Sequence, residues 1–129
     1  TNICIYIIKK KPEAVLDHFH KVSIADIGIS SITLSEMEYG VEKSQKKEQN
    51  RIALLQFVSP LEIISYDAMA ARHYGEIRNA LEKIGQPIGA LDMLIAAHAR
   101  SLGVTLITNN VKEFSRVPNL KIENWAQSQ

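Results

Sequence analysis

Short apolar runs alternate along this chain with longer segments of helical periodicity, and this alternation restricts the possible folds more than any other feature. Three of the runs predict short strands, at residues 27–29, 61–64 and 104–107. The run at 104–107 is almost wholly apolar, which is typical of a parallel strand covered on both faces. Strands that alternate with helices predict an α/β fold with a parallel sheet. A further apolar run, at residues 3–8, is compatible with either a strand or a buried helix.

Start and stop signals divide the remaining segments into helices. Ser30 and Ser31 offer caps for one helix, and Asp67 caps a long helix that Gly85 ends. Gly103 closes the helix that Asp92 opens. The predicted helices cover residues 12–19, 31–43, 52–57, 67–84 and 92–101.

Length, charge and cysteine content exclude several classes of protein. A chain of 129 residues predicts a single domain over residues 1–129. The net charge of +1 provides no global basic field, which argues against a protein that tracks DNA by charge. Cys4 is the one cysteine, so neither an intrachain disulfide nor a thiolate metal cluster is possible. No apolar run approaches the roughly 18 residues that span a bilayer, and no leader pattern opens the chain, so we expect a cytoplasmic protein without a membrane segment.

Polar residues stand at three places where the carboxyl end of a strand would put a ligand site. Glu36 follows the predicted strand at 27–29, and Asp92 opens a helix among apolar neighbours. Thr108 and Asn110 directly follow the strand at 104–107, with Glu113 just beyond them.

Each of these places also has a purely structural interpretation. Thr33 and Glu36 match the capping-box pattern, in which both residues serve the start of a helix. Asp92 is a favoured residue for a helix N-cap. Asn109 and Asn110 suit a polar turn. From the residues alone, the structural and functional interpretations remain open for all three.

Taken together, the candidates form a site with oxygen ligands only. Carboxylates and waters are the ligands that Mg²⁺ and Mn²⁺ prefer, whereas zinc favours histidine and cysteine. The four histidines do not form a recognisable site, since two are isolated and two would point to opposite sides of a helix: His18, His20, His73 and His98. A glycine-rich phosphate loop and a G-x-S-x-G nucleophile motif are both absent from the sequence.

In order along the chain, these motifs resemble those of the PIN-domain ribonucleases of the VapC family. Thr1-Asn2-Ile3-Cys4-Ile5-Tyr6 resembles the segment after the family's first aspartate, and Ser30-Ser31-x-Thr33-x-x-Glu36-x-x-x-Gly40 resembles the second motif. The segment from Gly85 through Asp92 to Ala99 resembles the third motif, and Val104-x-Leu106-Ile107-Thr108-Asn109-Asn110-x-x-Glu113 resembles the fourth. The spacing between Leu120 and Trp125 is similar to the family's tail. The resemblance covers essentially the whole chain.

The resemblance implies a PIN-like, Rossmann-like, three-layer α/β/α fold around a central parallel sheet. It implies cleavage of RNA, with tRNA as one plausible target, by water activated on Mg²⁺ or Mn²⁺ held by Glu36 and Asp92. Asn110 is implied as a weaker catalytic position that holds a metal-bound water, and Asn2, Thr108 and Glu113 as supporting positions. The implied partners are the RNA substrate, a small VapB-like antitoxin and a second copy of the chain in a homodimer.

The resemblance also places a first strand and a first catalytic aspartate immediately before Thr1, so we expect both to be missing from the sequence as given. Basic residues must offset phosphate repulsion near an acidic site. The candidates are residues 9–11, Lys43, Lys46 and Lys47, although such runs more often form a solvated face.

Two other functions are compatible with the sequence. A catalytically inactive PIN-fold module that retains antitoxin binding would need fewer carboxylates than a nuclease. A structure-specific DNA nuclease is a more distant possibility, which the short chain argues against.

Overall fold

The structure is a computed structural model, and it describes residues 6–8 and 27–124. Its strands are β1 (Tyr6–Ile8), β2 (Ile27–Ser30), β3 (Glu62–Ile64), β4 (Thr105–Ile107) and β5 (Ile122–Glu123). Its helices are α1 (Ser31–Glu42), α2 (Lys47–Val58), α3 (Ala68–Lys83), α4 (Ala90–Leu102) and the single turn α5 (Val111–Phe114). The alternation of strands and helices confirms the α/β class.

The five strands form one sheet in the order β3-β2-β1-β4-β5. β2 pairs in parallel with β3, and β4 pairs in parallel with β5. β1 lies between these pairs and is antiparallel to both β2 and β4. Because β2 and β4 both oppose β1, the four strands β2 to β5 run in one direction and their carboxyl ends share one edge of the sheet.

The direction of β1 departs from the expectation of a wholly parallel sheet. The apolar run at residues 3–8 left open whether a strand forms there, and residues 6–8 do form one. A short apolar run satisfies the sheet in either direction, since its pattern carries no information about polarity. The sheet is therefore mixed at its centre and parallel in its outer pairs.

The main core lies where α3 and α4 meet the sheet. α4 supplies a continuous buried stretch, of which Ile95 is wholly inaccessible to solvent. Ile77 and Leu81 of α3, Leu106 of β4 and Phe114 pack into the same cluster. Burial of large side chains such as these contributes about 1.5–3 kcal/mol each to folding, which fixes α4 firmly against the sheet. A second, smaller cluster joins α1 to α2 through Val41, Leu54 and Val58.

Several helix ends agree with their sequence signals. The Asp67 side chain accepts a hydrogen bond from the backbone N–H of Ala70 at 3.0 Å and so caps α3. Gly85 and Gly103 follow α3 and α4, each with a φ of 69°, a left-handed conformation that glycine adopts without a steric penalty.

Other boundaries differ from the prediction. α2 begins at Lys47, five residues earlier than expected, because its first residues are polar and show no apolar period. Within this added part, Arg51 bonds Glu38 of α1 at 2.7 Å and Glu42 of α1 at 2.9 Å. The helix predicted from Asp92 begins two residues earlier, at Ala90. The sequence pattern did not predict α5 and β5, which are too short to show a period. The helix predicted at residues 12–19 lies outside the described residues.

None of the helices in the described part of the chain combines the length and apolar character that a bilayer crossing requires.

Candidate active site

Glu36 projects from the second turn of α1, which starts where β2 ends. The helix begins at Ser31, and its N-cap is Ser30, whose Oγ accepts a hydrogen bond from the backbone N–H of Ile32 at 3.0 Å. A capping-box glutamate would have to lie in the first turn. Glu36 lies beyond it, so the capping-box interpretation is wrong, and the exposed Glu36 side chain is free to serve a site.

Asp92 is likewise not an N-cap. Gly89 is the N-cap of α4, and Asp92 is the third residue of the helix, in its first turn. Its half-buried side chain accepts a hydrogen bond at Oδ2 from Nδ2 of Asn110, at 3.2 Å. The N-cap interpretation of Asp92 is therefore wrong, and the residue that it contacts is another of the candidates.

Residues 108–110 form a tight turn at the carboxyl end of β4. Thr108 is buried, and its Oγ1 accepts a hydrogen bond from the backbone N–H of Asn110 at 2.9 Å. Asn110 stands at the N-cap position of α5, but its side chain makes no capping bond there. The turn interpretation is thus correct for the backbone, while the Asn110 side chain donates its hydrogen bond to Asp92.

Burial and neighbouring negative charge raise the pKa values of two carboxylates at this edge, Asp92 and Glu36. Burial raises the pKa of Asp92, and the charge of Glu113 raises it further, against the opposing effect of the Asn110 hydrogen bond. Burial also raises the pKa of Glu36, and the charge of Asp92 adds to this effect. The charge of Asp92 thus acts on Glu36, and the charge of Glu113 acts on Asp92, so the three carboxylates belong to one negative region. A bound cation would relieve this repulsion.

Oxygen donors at this edge suit a hard divalent cation. Within residues 6–8 and 27–124, no three His, Cys, Asp or Glu side chains converge closely enough to hold a metal by themselves. Two carboxylates are nevertheless a common protein contribution to Mg²⁺, which keeps several of its waters. Glu36 and Asp92 fit such a site, with Asn110 fixing one oxygen of Asp92.

A groove of about 560 Å³ runs from Glu36 along α1. Tyr39, Gly40 and Lys43 line it on the α1 side, and Leu91 lines it from α4. The Lys43 ammonium lies 5.0 Å from the centre of the Tyr39 ring, which is 65% exposed. The groove therefore has apolar walls, a carboxylate at one end and a cation at the other. Tyr39 was not among the predicted residues, although its position three residues after Glu36 puts it on the same helix face.

The other predicted residues are distributed as follows. Lys47 pairs with Glu42 at 3.3 Å, away from the groove. His73 accepts a hydrogen bond from Arg100, and His98 is buried in contact with Ser30. The remaining candidates lie outside the described residues: Thr1, Asn2, Cys4, residues 9–11, His18, His20 and Trp125.

Comparison with known proteins decides the family. The PIN-domain family profile matches residues 1–120. The chain belongs to the PIN-domain family. It is 50% identical over 126 residues to Ribonuclease VapC2 of Rickettsia felis, a match that covers 97% of this chain and 94% of that protein. It is 47% identical over 126 residues to the tRNA(fMet)-specific endonuclease VapC of Shigella flexneri, covering 98% of this chain and 95% of that protein.

A solved structure agrees with this assignment. The crystal structure of VapBC2 from Rickettsia felis bound to a DNA fragment from the promoter matches with a TM-score of 0.74 and 55% identity, covering 76% of this chain and 74% of that chain. The predicted resemblance to the VapC family and the PIN-like fold are both confirmed. PIN-domain ribonucleases generally depend on a divalent metal.

Proposed function

We propose that this PIN-domain protein is the toxin of a bacterial type II toxin–antitoxin pair, an endoribonuclease that uses Mg²⁺ or Mn²⁺ held at Glu36 and Asp92. The observation that carries the proposal is the half-buried carboxylate of Asp92, held by Asn110 at 3.2 Å at the carboxyl edge of a PIN-domain sheet, whose charge also acts on Glu36. The names of the VapC relatives as ribonucleases support a nuclease over an inactive binding module.

Each candidate site residue among the described residues has a chemical role in this proposal. A divalent ion, when bound, lowers the pKa of water and neutralises charge on the phosphate oxygens. Glu36 on α1 and Asp92 on α4 supply the anionic ligands. Asn110 donates a hydrogen bond to Oδ2 of Asp92 and so fixes the direction of its carboxylate. Thr108 supports Asn110 by accepting its backbone N–H, and Glu113 adds negative charge to the ligand region.

The substrate and partners are part of the same proposal. The name of the Shigella flexneri relative supports a tRNA substrate, and the VapBC structures support a small VapB-like antitoxin as partner. Lys43 offsets phosphate repulsion at the far end of the groove, where an RNA strand leaves the carboxylates. We place the active form in the cytoplasm as a homodimer. An aspartate immediately before Thr1 completes the carboxylate set in this proposal.

The test is cleavage of total RNA by antitoxin-free protein with Mg²⁺, with Mn²⁺ and with chelator, followed by mapping of the cut ends. The proposal expects cuts at defined positions that disappear with chelator and in the Asp92→Asn variant. The matched control is Asp67→Asn, which makes the same chemical change at another helix start and keeps cleavage. Metal-independent cutting, or no cutting by protein that also carries the expected N-terminal aspartate, contradicts the proposal. Antitoxin binding without cleavage would favour the inactive module.

A further inference from the structure

Ser30 and His98 form a buried polar contact between the two segments that carry the carboxylates. Oγ of Ser30 lies 2.8 Å from Nδ1 of His98, and both residues are 1% exposed. Ser30 ends β2 and caps α1, whereas His98 lies in the middle of α4. The same Ser30 oxygen also accepts the backbone N–H of Ile32 at 3.0 Å. The Ser30 hydroxyl is therefore hydrogen-bonded both to the start of α1 and to a side chain of α4.

We propose that the Ser30–His98 hydrogen bond is a positioning device, which sets the separation between Glu36 and Asp92 and thereby the geometry of the metal site. The inference rests on the proposed function for the metal, but the separation itself is a property of the fold. Neither residue lies in the groove or ligates the metal. Both act through the helices that carry the ligands.

The placement of the contact suits this role. Glu36 lies six residues after Ser30, and Asp92 lies six residues before His98. At a rise of about 1.5 Å per residue, each carboxylate is attached roughly 9 Å along a helix from the same hydrogen bond. α4 is held rigidly by its buried stretch, so a shift of the α1 start against α4 is transmitted to Glu36 relative to Asp92.

The neighbouring serine and tyrosine add a second brace. Oγ of Ser31 accepts the backbone N–H of Tyr66 at 3.1 Å, which joins the start of α1 to the segment after β3. The Tyr66 ring packs edge-on against the His98 ring, with 5.6 Å between ring centres. The serine pair that precedes α1 therefore fixes that helix start on two sides, and the imidazole is held between Ser30 and Tyr66.

A neutral imidazole with an unprotonated Nδ1 satisfies the pair. A serine hydroxyl can accept from Ile32 and still donate its own hydrogen to an unprotonated Nδ1. Burial lowers the pKa of His98, against the opposing effect of the Asp67 charge, so the neutral form predominates at neutral pH. A buried hydrogen bond of this kind stabilises the fold, and losing one partner leaves the other buried and unsatisfied.

The first test measures the separation without metal. Spin labels on Tyr39→Cys and Leu91→Cys, two exposed groove positions, report the α1–α4 distance by dipolar line broadening in a Cys4→Ser background. His98→Asn places an amide near the position of Nδ1, whereas His98→Gln places it near Nε2. We expect His98→Asn to keep the wild-type distance and His98→Gln and Ser30→Ala to broaden or shift it. Unchanged distances in folded His98→Gln and Ser30→Ala would overturn the inference.

The second test measures Mn²⁺ affinity in the same variants without labels. We expect a loss on the order of 10-fold for His98→Gln, as for other residues that orient ligands indirectly, and near-wild-type affinity for His98→Asn. The double variant Ser30→Ala with His98→Gln should bind no more weakly than the poorer single variant, because both remove one contact.

Ile77→Val provides the control for stability alone. It removes a buried methyl group from α3 and so lowers the melting temperature, without touching the polar contact. We expect its Mn²⁺ affinity to be unchanged. If His98→Gln loses stability like Ile77→Val and keeps its Mn²⁺ affinity, the pair is merely structural and the inference is wrong. If wild-type protein with the expected N-terminal aspartate binds no Mn²⁺, the proposed function is wrong. The spin-label distances, which are measured without metal, still test the positioning role in that case.

Discussion

At the residue scale, the site depends on negative charge that the described residues compensate incompletely. Asp92 receives one amide hydrogen bond, from Asn110, while burial and Glu113 both oppose its ionisation. Burial and the charge of Asp92 likewise oppose the ionisation of Glu36. Partial burial of a carboxylate without a cationic partner costs stability, and carboxylates perturbed in this way are candidates for functional sites.

The Asp92→Asn variant tests this directly. We expect RNA cleavage to fall by at least about 100-fold, because loss of an anionic ligand weakens the divalent site. We expect the melting temperature of the metal-free protein to stay the same or rise, since the substitution removes a disfavoured charge. Cleavage assays and thermal melts of the same preparations measure both effects. Wild-type cleavage by a folded Asp92→Asn protein would remove Asp92 from the catalytic set.

The raised pKa values of Glu36 and Asp92 also predict a pH dependence. Their usual pKa values are 4.5 and 3.8, and both carboxyls bind protons more tightly in the folded chain. Their contribution to the free energy of unfolding is therefore present below about pH 4 and is lost as the pH rises through the raised values. A divalent cation relieves the repulsion that remains above that range.

We accordingly expect the increase in melting temperature caused by Mn²⁺ to be small at pH 4 and to grow towards pH 7. Thermal melts with and without Mn²⁺ at each pH give this increase. Groups that do not contact the metal titrate equally in both melts, so their effect on the melting temperature cancels in the difference. The Asp92→Asn variant should show a smaller increase at every pH. A Mn²⁺ effect that is independent of pH and of Asp92 would contradict the assignment of the metal to these carboxylates.

At the element scale, the sequence predicted what depends on local chemistry. Asp67, Gly85 and Gly103 mark helix ends in the structure because capping and a left-handed φ are properties of one or two residues. The early start of α2 could not be predicted in this way, since residues 47–51 are all polar and carry no apolar period. The direction of β1 was also beyond reach, because pairing partners and not the apolar pattern determine it.

The candidate site shows the same division. Glu36 and Asn110 could be predicted to lie at one edge, since each follows a strand of the same direction. Asp92 follows helix α3, so its place beside Asn110 depends on how α4 packs. The contact between Ser30 and His98 could not, because 68 residues separate them and each has an ordinary structural explanation on its own. A lone histidine in an apolar helix carries no signal about its partner until the helix is placed.

The face of α1 that lines the groove leads to a prediction for Lys43. We expect Lys43→Ala to weaken RNA binding by about 3- to 10-fold and to reduce the salt dependence, by a slope of roughly 0.7 for one lost contact to a single strand. Lys47→Ala is the matched control, because Lys47 is paired with Glu42 outside the groove and should leave both unchanged. Fluorescence anisotropy with labelled RNA, in the inactive Asp92→Asn background, measures the affinity. Equal effects of the two substitutions would mean that the groove does not hold the RNA backbone.

At the scale of the whole molecule, α2 carries two of the exposed large apolar side chains of the described residues. Ile52 and Leu55 are each 57% exposed, and they line a second depression together with Glu48 and Arg51. They lie three residues apart and so share one face of the helix. Exposed apolar side chains grouped in this way commonly mark an interface.

We therefore expect the antitoxin-free protein to be a homodimer with the α2 face at its interface. Leu55→Lys should convert the dimer to a folded monomer, because a charge introduced at the centre of an apolar contact must be desolvated without a partner. Light scattering during size-exclusion chromatography gives the mass, and circular dichroism checks that the helices persist. Met69→Lys is the control, since Met69 is similarly exposed, at 54%, but lies on α3 outside this face. A monomeric wild-type protein at micromolar concentration would disprove the dimer, and a dimer that survives Leu55→Lys would place its interface elsewhere on the surface.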